Sequence, residues 1–529
     1  MGREAKGAAA TAQAGVGPSG GRGGGQGGEW WGRPAVLAAV IWLSALPLLY
    51  PEIPPLVDLP GHMGRYRVQL DLTHSPWLGE FYGFEWAAIG NLGVDLLVMP
   101  LAPLVGLEPA VKLIVVSIPP LTVAGFLLVA REVHGRIPPT AYFAIPFAYG
   151  HPFLFGFVNH ALSMALAFLA FALWLRLART GRLRLRAALF VPISLILFFT
   201  HIYGWGALGL MCFSAEAVRQ RDKGAGWLRS SAVAALHASV MALPLVIMLA
   251  WRSGAGTGDT GDWFKMEAKL LWLKTALRDR WELFDFASII LVVLLLVEAR
   301  RNPRLAFSRN LAFSGLVLLA VFLLLPRVIF GSAYADMRLV PYIFAILVLA
   351  IRFKGETMNA LATAFAVGGL AFAAVRIAAT TASFAIADHD QQAKLEALEH
   401  LPMGARVVSL VALPCDDFWA LPRNTHLGGM VIVRRHGFSN DQWIAEGTNL
   451  LQLRHRAAGE FAADPSQIVR PSACDAERRS IEEALASLPA SAFDYLWLID
   501  PPAFDRQLLG KAMPVWVGEG SALYRLDGG

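Results

Sequence analysis

Charge is scarce in this chain. Of its 529 residues only 16% are charged while 56% are hydrophobic, against about a quarter charged in an ordinary soluble domain. That balance, with a mean hydropathy of +0.49, excludes a single water-soluble globule and points to a polytopic membrane protein. Cysteine is scarcer still: three residues are too few for a disulfide framework. Cys212 lies in an apolar run and reads as a small buried side chain. Cys415 and Cys474 fall in the polar C-terminal region, where they either pair, if that region is extracytoplasmic, or remain two free thiols. Internal repeats, sustained heptads and a basic surface interleaved with aromatics are all missing, so nucleic acid is not an expected partner. The net charge of +6 comes from short basic clusters between apolar segments, which orient a membrane protein instead.

What is present is a regular alternation. Residues 1–33 are Gly- and Ala-rich and cannot offset the entropy of ordering, so they read as a disordered tail. Arg3, Lys6, Arg22 and Arg33 outnumber Glu4 and Glu29 there, which puts the tail in the cytoplasm. A first helix near Pro34–Tyr50 delivers residues 51–109 to the opposite face as a first outer loop. Within it, residues 91–107 are apolar but interrupted by Asp95, Pro100 and Pro103, and read as a juxtamembrane helix. Residues 187–217 would be about 46 Å long as one helix, too long for a hydrocarbon core of about 30 Å, so two helices meeting at THIYGW are expected. The full reading is an α-helical polytopic protein of about eleven transmembrane helices over residues 34–380. Its N-terminus is inside and its C-terminus outside. Residues 381–529 then change character: runs such as ARVVSLVAL, GGMVIVRR, FDYLWLID and PVWVGE read as strands of a small extracytoplasmic α/β domain.

Titratable residues gather in the expected outer segments. The first loop reads YPEIPPLVDLPGHMGRYRVQLDLTH, and Pro55 and Pro60 stiffen the backbone around Asp58. A carboxylate fixed in this way can take a proton from an attacking hydroxyl; it can equally cap the following helix. His62 and Arg65 follow at helical spacing, as residues that bind substrate or its phosphate or as structural partners. His151 and Asn159 border the loop GHPFLFGFVNH, and His201 and Tyr203 sit in THIYGW. Arg338, in ADMRLVPY at the start of a late span, reads as a phosphate holder or as an anchor paired to Asp336. GTGDTGDWF, with Asp259 and Asp262, reads as a mobile lid. No cofactor is expected. Asp58 with these histidines leaves a divalent metal open as an alternative, although no tight spacing such as HxxxH occurs.

Taken together, VDLPGHMGRYR, NLGVDLLVMPLAPL, FLFGFVNHALSMALAF, FFTHIYGW and ADMRLVPY resemble the GT-C superfamily of polytopic membrane glycosyltransferases. The resemblance covers about residues 34–380. DLPGH stands in place of an acidic pair, and neither a DxD nor a WWD-type signature is found. The resemblance implies a bacterial inner-membrane enzyme that moves a sugar from a polyprenyl-phosphate carrier to an acceptor on the extracytoplasmic side. It also implies that Asp58 acts on the acceptor and Arg338 on the carrier phosphate. The alternatives are a transporter or flippase of a lipid-linked or polar substrate, and a non-catalytic membrane assembly protein.

Overall fold

The computed structural model describes residues 29–252, 260–329, 331–354, 360–415, 418–444, 449–474 and 479–526. Asp259 and residues 1–28 of the tail expected to be cytoplasmic lie outside them. Four of the helices described are long and apolar enough to cross a membrane: Leu107–His134, Val158–Arg179, Leu183–Thr200 and the one opening at Ala360. A fifth candidate is the pair Trp227–Met241 and Leu243–Ala250, bent by 61° at their junction. The count of about eleven expected from apolar stretches includes segments that fold as shorter helices, such as Pro34–Leu43 and Arg309–Leu324. Residues 139–153, one of the apolar stretches within that count, do not form a span: Pro139–Tyr149 is a 3-10 helix buried along its whole length. Pro146 removes a backbone donor that an α-helix there would use.

The long run at 187–217 divides as expected, into Leu183–Thr200 and Ile202–Asp222, with extended backbone at His201. The last apolar helix does not stop near residue 378. It continues as one 36-residue helix, Ala360–Leu395, about 54 Å long at 1.5 Å per residue, and so carries the chain from the apolar helices straight into the C-terminal sheet.

That sheet has six strands. Arg406–Ala412 is central and parallel to Phe438–Ser439, Ile468–Val469 and Tyr495–Ile499. Ser521–Arg525 and Met513–Gly518 add antiparallel strands beyond Tyr495–Ile499. Val407, Val408, Leu410 and Val411 are all buried, which explains why this strand reads as an unbroken apolar run rather than an alternating one. One expected strand is not a strand: GGMVIVRR forms the helix Gly429–Arg435, closed by His436 in the left-handed region at φ 51°. Its β-branched run favours a strand locally, but tertiary packing decides otherwise.

The partner in that packing is the first-loop helix Leu59–Asp71. The two backbones approach so closely that a Cβ on Gly429 would lie 2.4 Å from the Pro60 carbonyl oxygen. On the facing helix, a Cβ on Gly61 would lie 2.8 Å from the Trp443 ring, and one on Gly64 3.0 Å from Ile432. The first loop also donates a strand, Tyr82–Phe84, which pairs antiparallel with Leu451–Leu453. The C-terminal region is thereby seated on the first loop, and Asp58 stands at the start of the helix that receives it. We predict that Gly429→Val lowers thermal stability by roughly 1–3 kcal/mol through overpacking. Gly209→Ala, where nothing lies within 4 Å of the added carbon, should be neutral or slightly stabilising; thermal unfolding of the two purified variants checks this.

Candidate active site

Asp58 immediately precedes the helix Leu59–Asp71, but its side chain makes no capping bond. The capping role considered for it is therefore not the one it plays. Its backbone N–H donates to Phe155 O at 3.0 Å, and Val57 N–H to Leu154 O at 3.3 Å, so the segment at Leu154 and Phe155 holds the loop that carries Asp58. Gly156 makes this approach possible. Its φ is +105°, and a Cβ there would lie 2.6 Å from the Asp58 nitrogen.

The Asp58 carboxylate lines a cavity of about 900 Å³ together with His62, Arg65, Asn159, His201, Tyr203 and Arg338. Seven of the eight candidate residues are thus brought together from four separate stretches of sequence. The eighth, His151, is not in the lining. It is buried beside Phe155 and Trp272, with ring centroids 6.0 and 6.2 Å away.

Arg65 and Asn159 are committed to each other through Asp95. Arg65 pairs with Asp95 at 2.9 Å, both side chains almost wholly buried. Asn159 Nδ2 donates to Asp95 Oδ2 at 3.0 Å, while its Oδ1 accepts from Val94 N–H at 2.6 Å. Asp95 was visible in the sequence only as an interruption of an apolar segment. Arg338 differs: no carboxylate lies within ion-pair distance of it among the described residues. Asp336, the expected partner, instead meets Lys269 at 3.2 Å, and that ammonium also donates to Phe322 O and Leu325 O. The Arg338 guanidinium donates to Ser332 Oγ at 3.0 Å, lies 3.3 Å from His201 Nε2, and stacks over Phe157 and Tyr203.

Three groups that sequence reasoning missed come from the C-terminal region: His426, Trp443 and Asp464. His426 Nε2 stands 3.7 Å from Asp58 Oδ1 and 3.8 Å from Asp464 Oδ1. The Trp443 ring lies between two imidazoles, 4.5 Å from His426 and 4.9 Å from His62. No local motif announces this cluster; only the docking of Gly429–Arg435 against Leu59–Asp71 creates it. Among the described residues no three His, Cys, Asp or Glu side chains converge as metal ligands.

Burial pushes the Asp58 carboxyl up to about 7; Asp464 adds to the rise, while His426 and Arg338 oppose it. His62 is driven well below its usual value by burial, and then by Arg65 and His426. Both effects keep the rim of the cavity short of charge except where a partner compensates.

No known family profile and no curated protein matches the chain. Its path is similar to that of ArnT from Cupriavidus metallidurans, solved bound to undecaprenyl phosphate: TM-score 0.47 and 12% identity, covering 93% of this chain and 97% of that one. The apo structure of the same protein gives TM-score 0.46 and 13% identity, with the same coverage.

Two predictions follow from this geometry. The folded protein holds the Asp58 proton more tightly than the unfolded chain does, about 7 against 3.8. The native state therefore loses stability as pH rises through that interval. Asp58→Asn, which cannot ionise, should gain in Tm over the parent as pH rises from about 4 to about 7 and hold that gain above it, as read from paired melting curves. Arg65→Met leaves Asp95 buried without its cation and should cost about 3–5 kcal/mol; Arg65→Met with Asp95→Leu should recover most of it, measured by denaturant unfolding.

Proposed function

We propose that this chain is a membrane glycosyltransferase that moves a sugar from a polyprenyl-phosphate carrier to an acceptor hydroxyl on the extracytoplasmic side of the bacterial inner membrane. The observation that carries the reading is the placement of Arg338, a buried cation with no ion-paired carboxylate among the described residues, in the same cavity as Asp58. A guanidinium held out of water calls for an anion, and a phosphate matches its planar donors. The GT-C resemblance of VDLPGHMGRYR and ADMRLVPY assigns these two residues the same pair of tasks.

On this reading the carrier phosphate sits against Arg338, with Tyr203 and His201 beside it, and the acceptor hydroxyl faces Asp58. The acceptor oxygen forms a bond to the anomeric carbon as the bond from that carbon to the phosphate oxygen breaks. The acceptor proton passes to the Asp58 carboxylate, and the polyprenyl phosphate leaves with its negative charge matched by Arg338. Because Arg65 is engaged by Asp95, the leaving group falls to Arg338. The cavity wall is largely apolar, with Val57, Phe155, Phe157, Ile202 and Leu210, which suits a lipid-linked donor and excludes competing water. The disulfide between Cys415 and Cys474 supports an oxidising compartment for the C-terminal region, in keeping with a multi-pass protein whose tail is cytoplasmic and whose cavity opens outward.

The test is transfer from a radiolabelled polyprenyl-phosphate sugar in membranes carrying the protein. Asp58→Asn should lower transfer by at least about 100-fold with protein abundance unchanged, and Arg338→Ala should weaken polyprenyl-phosphate binding by about 10- to 100-fold. Unchanged transfer in the first variant removes Asp58 from the reaction. Label crossing the bilayer without transfer indicates a transporter instead.

A further inference from the structure

A second cavity, of about 490 Å³, lies away from Asp58 and is walled by five stretches of chain: 132–139, 174–179, 215–222, 308–310 and 352–353. One helix connects the two. Val158–Arg179 puts Asn159, in its first turn, into the Asp58 cavity and Arg179, its last residue, into the second. Its 22 residues rise about 33 Å at 1.5 Å each, close to a hydrocarbon core of about 30 Å. Ile202–Asp222 repeats the arrangement, with Tyr203 at one end and Asp222 at the other. The two cavities therefore face opposite sides of the membrane. With Asp58 outside, as proposed above, the second opens to the cytoplasm.

This second cavity is rich in guanidinium groups. Five arginines line it, Arg136, Arg179, Arg219, Arg309 and Arg352, against three carboxylates, Glu132, Glu216 and Asp222. Four of the arginines are held in place by acids: Arg179 by Glu132 at 2.6 Å, Arg136 by Glu29 at 3.3 Å, Arg219 by Glu216, and Arg309 by Asp222. The acids sit low and the arginines stand proud. Glu132 is 11% exposed against 61% for Arg179, and Glu29 14% against 46% for Arg136. Glu216 is also shared with the buried Arg186 at 3.1 Å, and Arg352 meets no carboxylate among the described residues. With Glu29 and Arg186 included, six guanidiniums face four carboxylates, an excess of two positive charges.

Arg179 and Arg219 stand in the last turns of their helices, where they also offset the helix dipole. Arg309 and Arg352 do not. Arg309 opens the helix Arg309–Leu324, where a cation is disfavoured, and Arg352 projects from a short strand between the buried Ile351 and Phe353. A guanidinium carries five donors, so the pair with Asp222 leaves Arg309 others to give. Between the arginines the wall is apolar, with Leu175, Val218 and Phe353. Cations above an apolar wall suit a phosphate joined to acyl chains better than a free ion.

We propose that this cavity binds the phosphate of an anionic phospholipid from the leaflet opposite the Asp58 cavity, with Arg309 and Arg352 donating to the phosphate and Leu175 and Phe353 against the acyl chains. A lipid held there ties the five stretches together at the far end of the helices that carry the Asp58 cavity. The site does not depend on the transferase reading; only its assignment to the cytoplasmic leaflet does.

The test uses the full chain in nanodiscs of phosphatidylcholine with added phosphatidylglycerol, read by native mass spectrometry of retained lipid and by melting curves. The parent should retain phosphatidylglycerol and gain in Tm as its fraction rises. Arg309→Gln with Arg352→Gln should weaken retention by about 10-fold or more, yet melt close to the parent in pure phosphatidylcholine, because both side chains are exposed. Arg300→Gln with Arg301→Gln removes the same charge from exposed positions outside the cavity and should leave retention unchanged. Equal losses in the two double variants mean a general attraction between a basic surface and lipid, and overturn the site. Unchanged retention in Arg309→Gln with Arg352→Gln overturns it too. Inorganic phosphate, compared with chloride at matched ionic strength, should neither displace the lipid nor raise Tm; if it does both, the occupant is a soluble phosphate and the lipid assignment falls.

Discussion

The cost of holding Arg338 in the protein interior governs the rest of this structure. A guanidinium removed from water loses several kcal/mol of solvation unless an anion replaces it. Elsewhere in the described residues buried carboxylates supply that anion: Asp336 to Lys269, Asp95 to Arg65, Asp279 to Arg423 at 2.5 Å and Asp285 to Arg376 at 2.6 Å. Each of these pairs sets opposite charges together and fixes one segment to another. Among the described residues, Arg338 alone of the buried arginines in this group is left with neutral acceptors and ring faces, Ser332, His201, Phe157 and Tyr203. Among the described residues the other buried cations of this group each meet a carboxylate, and that contrast is the basis for proposing an anionic ligand at Arg338.

The buried pairs also explain how the cavity keeps its form. Arg423, from the C-terminal region, reaches Asp279 and Ser383 and donates to the carbonyl oxygen of Pro55 in the first loop. Arg434 meets Glu108 at 2.8 Å on the same side. With the glycine contacts at 61, 64 and 429 and the strand pair Tyr82–Phe84 with Leu451–Leu453, these bonds tie the first loop to residues nearly four hundred positions later in the chain. The cavity wall is consequently shared between the helical part and the sheet part, and neither contains the site alone. A division into residues 34–380 and 381–529 follows the change in composition but cuts through the chemistry.

That explains what was legible in the sequence. Apolar stretches, basic clusters and prolines gave the helical character, the break at His201 and the strand Arg406–Ala412, because each is decided within about twenty residues. Asp58, His201, Tyr203 and Arg338 were readable as a group because titratable residues at the ends of apolar segments are rare. Three things were hidden. GGMVIVRR has strand chemistry but lies against a helix that admits it only through glycine. Arg65 resembles a phosphate clamp until Asp95, thirty residues on, is seen to take it. His426 and Asp464 carry no local signature, since their meaning comes from a docking contact across the whole chain.

The most direct test of this account is the distance from the phosphorus of a bound polyprenyl phosphate to the guanidinium carbon of Arg338, measured by phosphorus–carbon dipolar recoupling on arginine-labelled protein in lipid. The account predicts a contact of about 4–5 Å, as a guanidinium–phosphate hydrogen bond requires, which disappears in Arg338→Lys and survives in Arg65→Lys. A phosphate that dephases no arginine signal, or one whose contact vanishes with Arg65 and persists without Arg338, would contradict it.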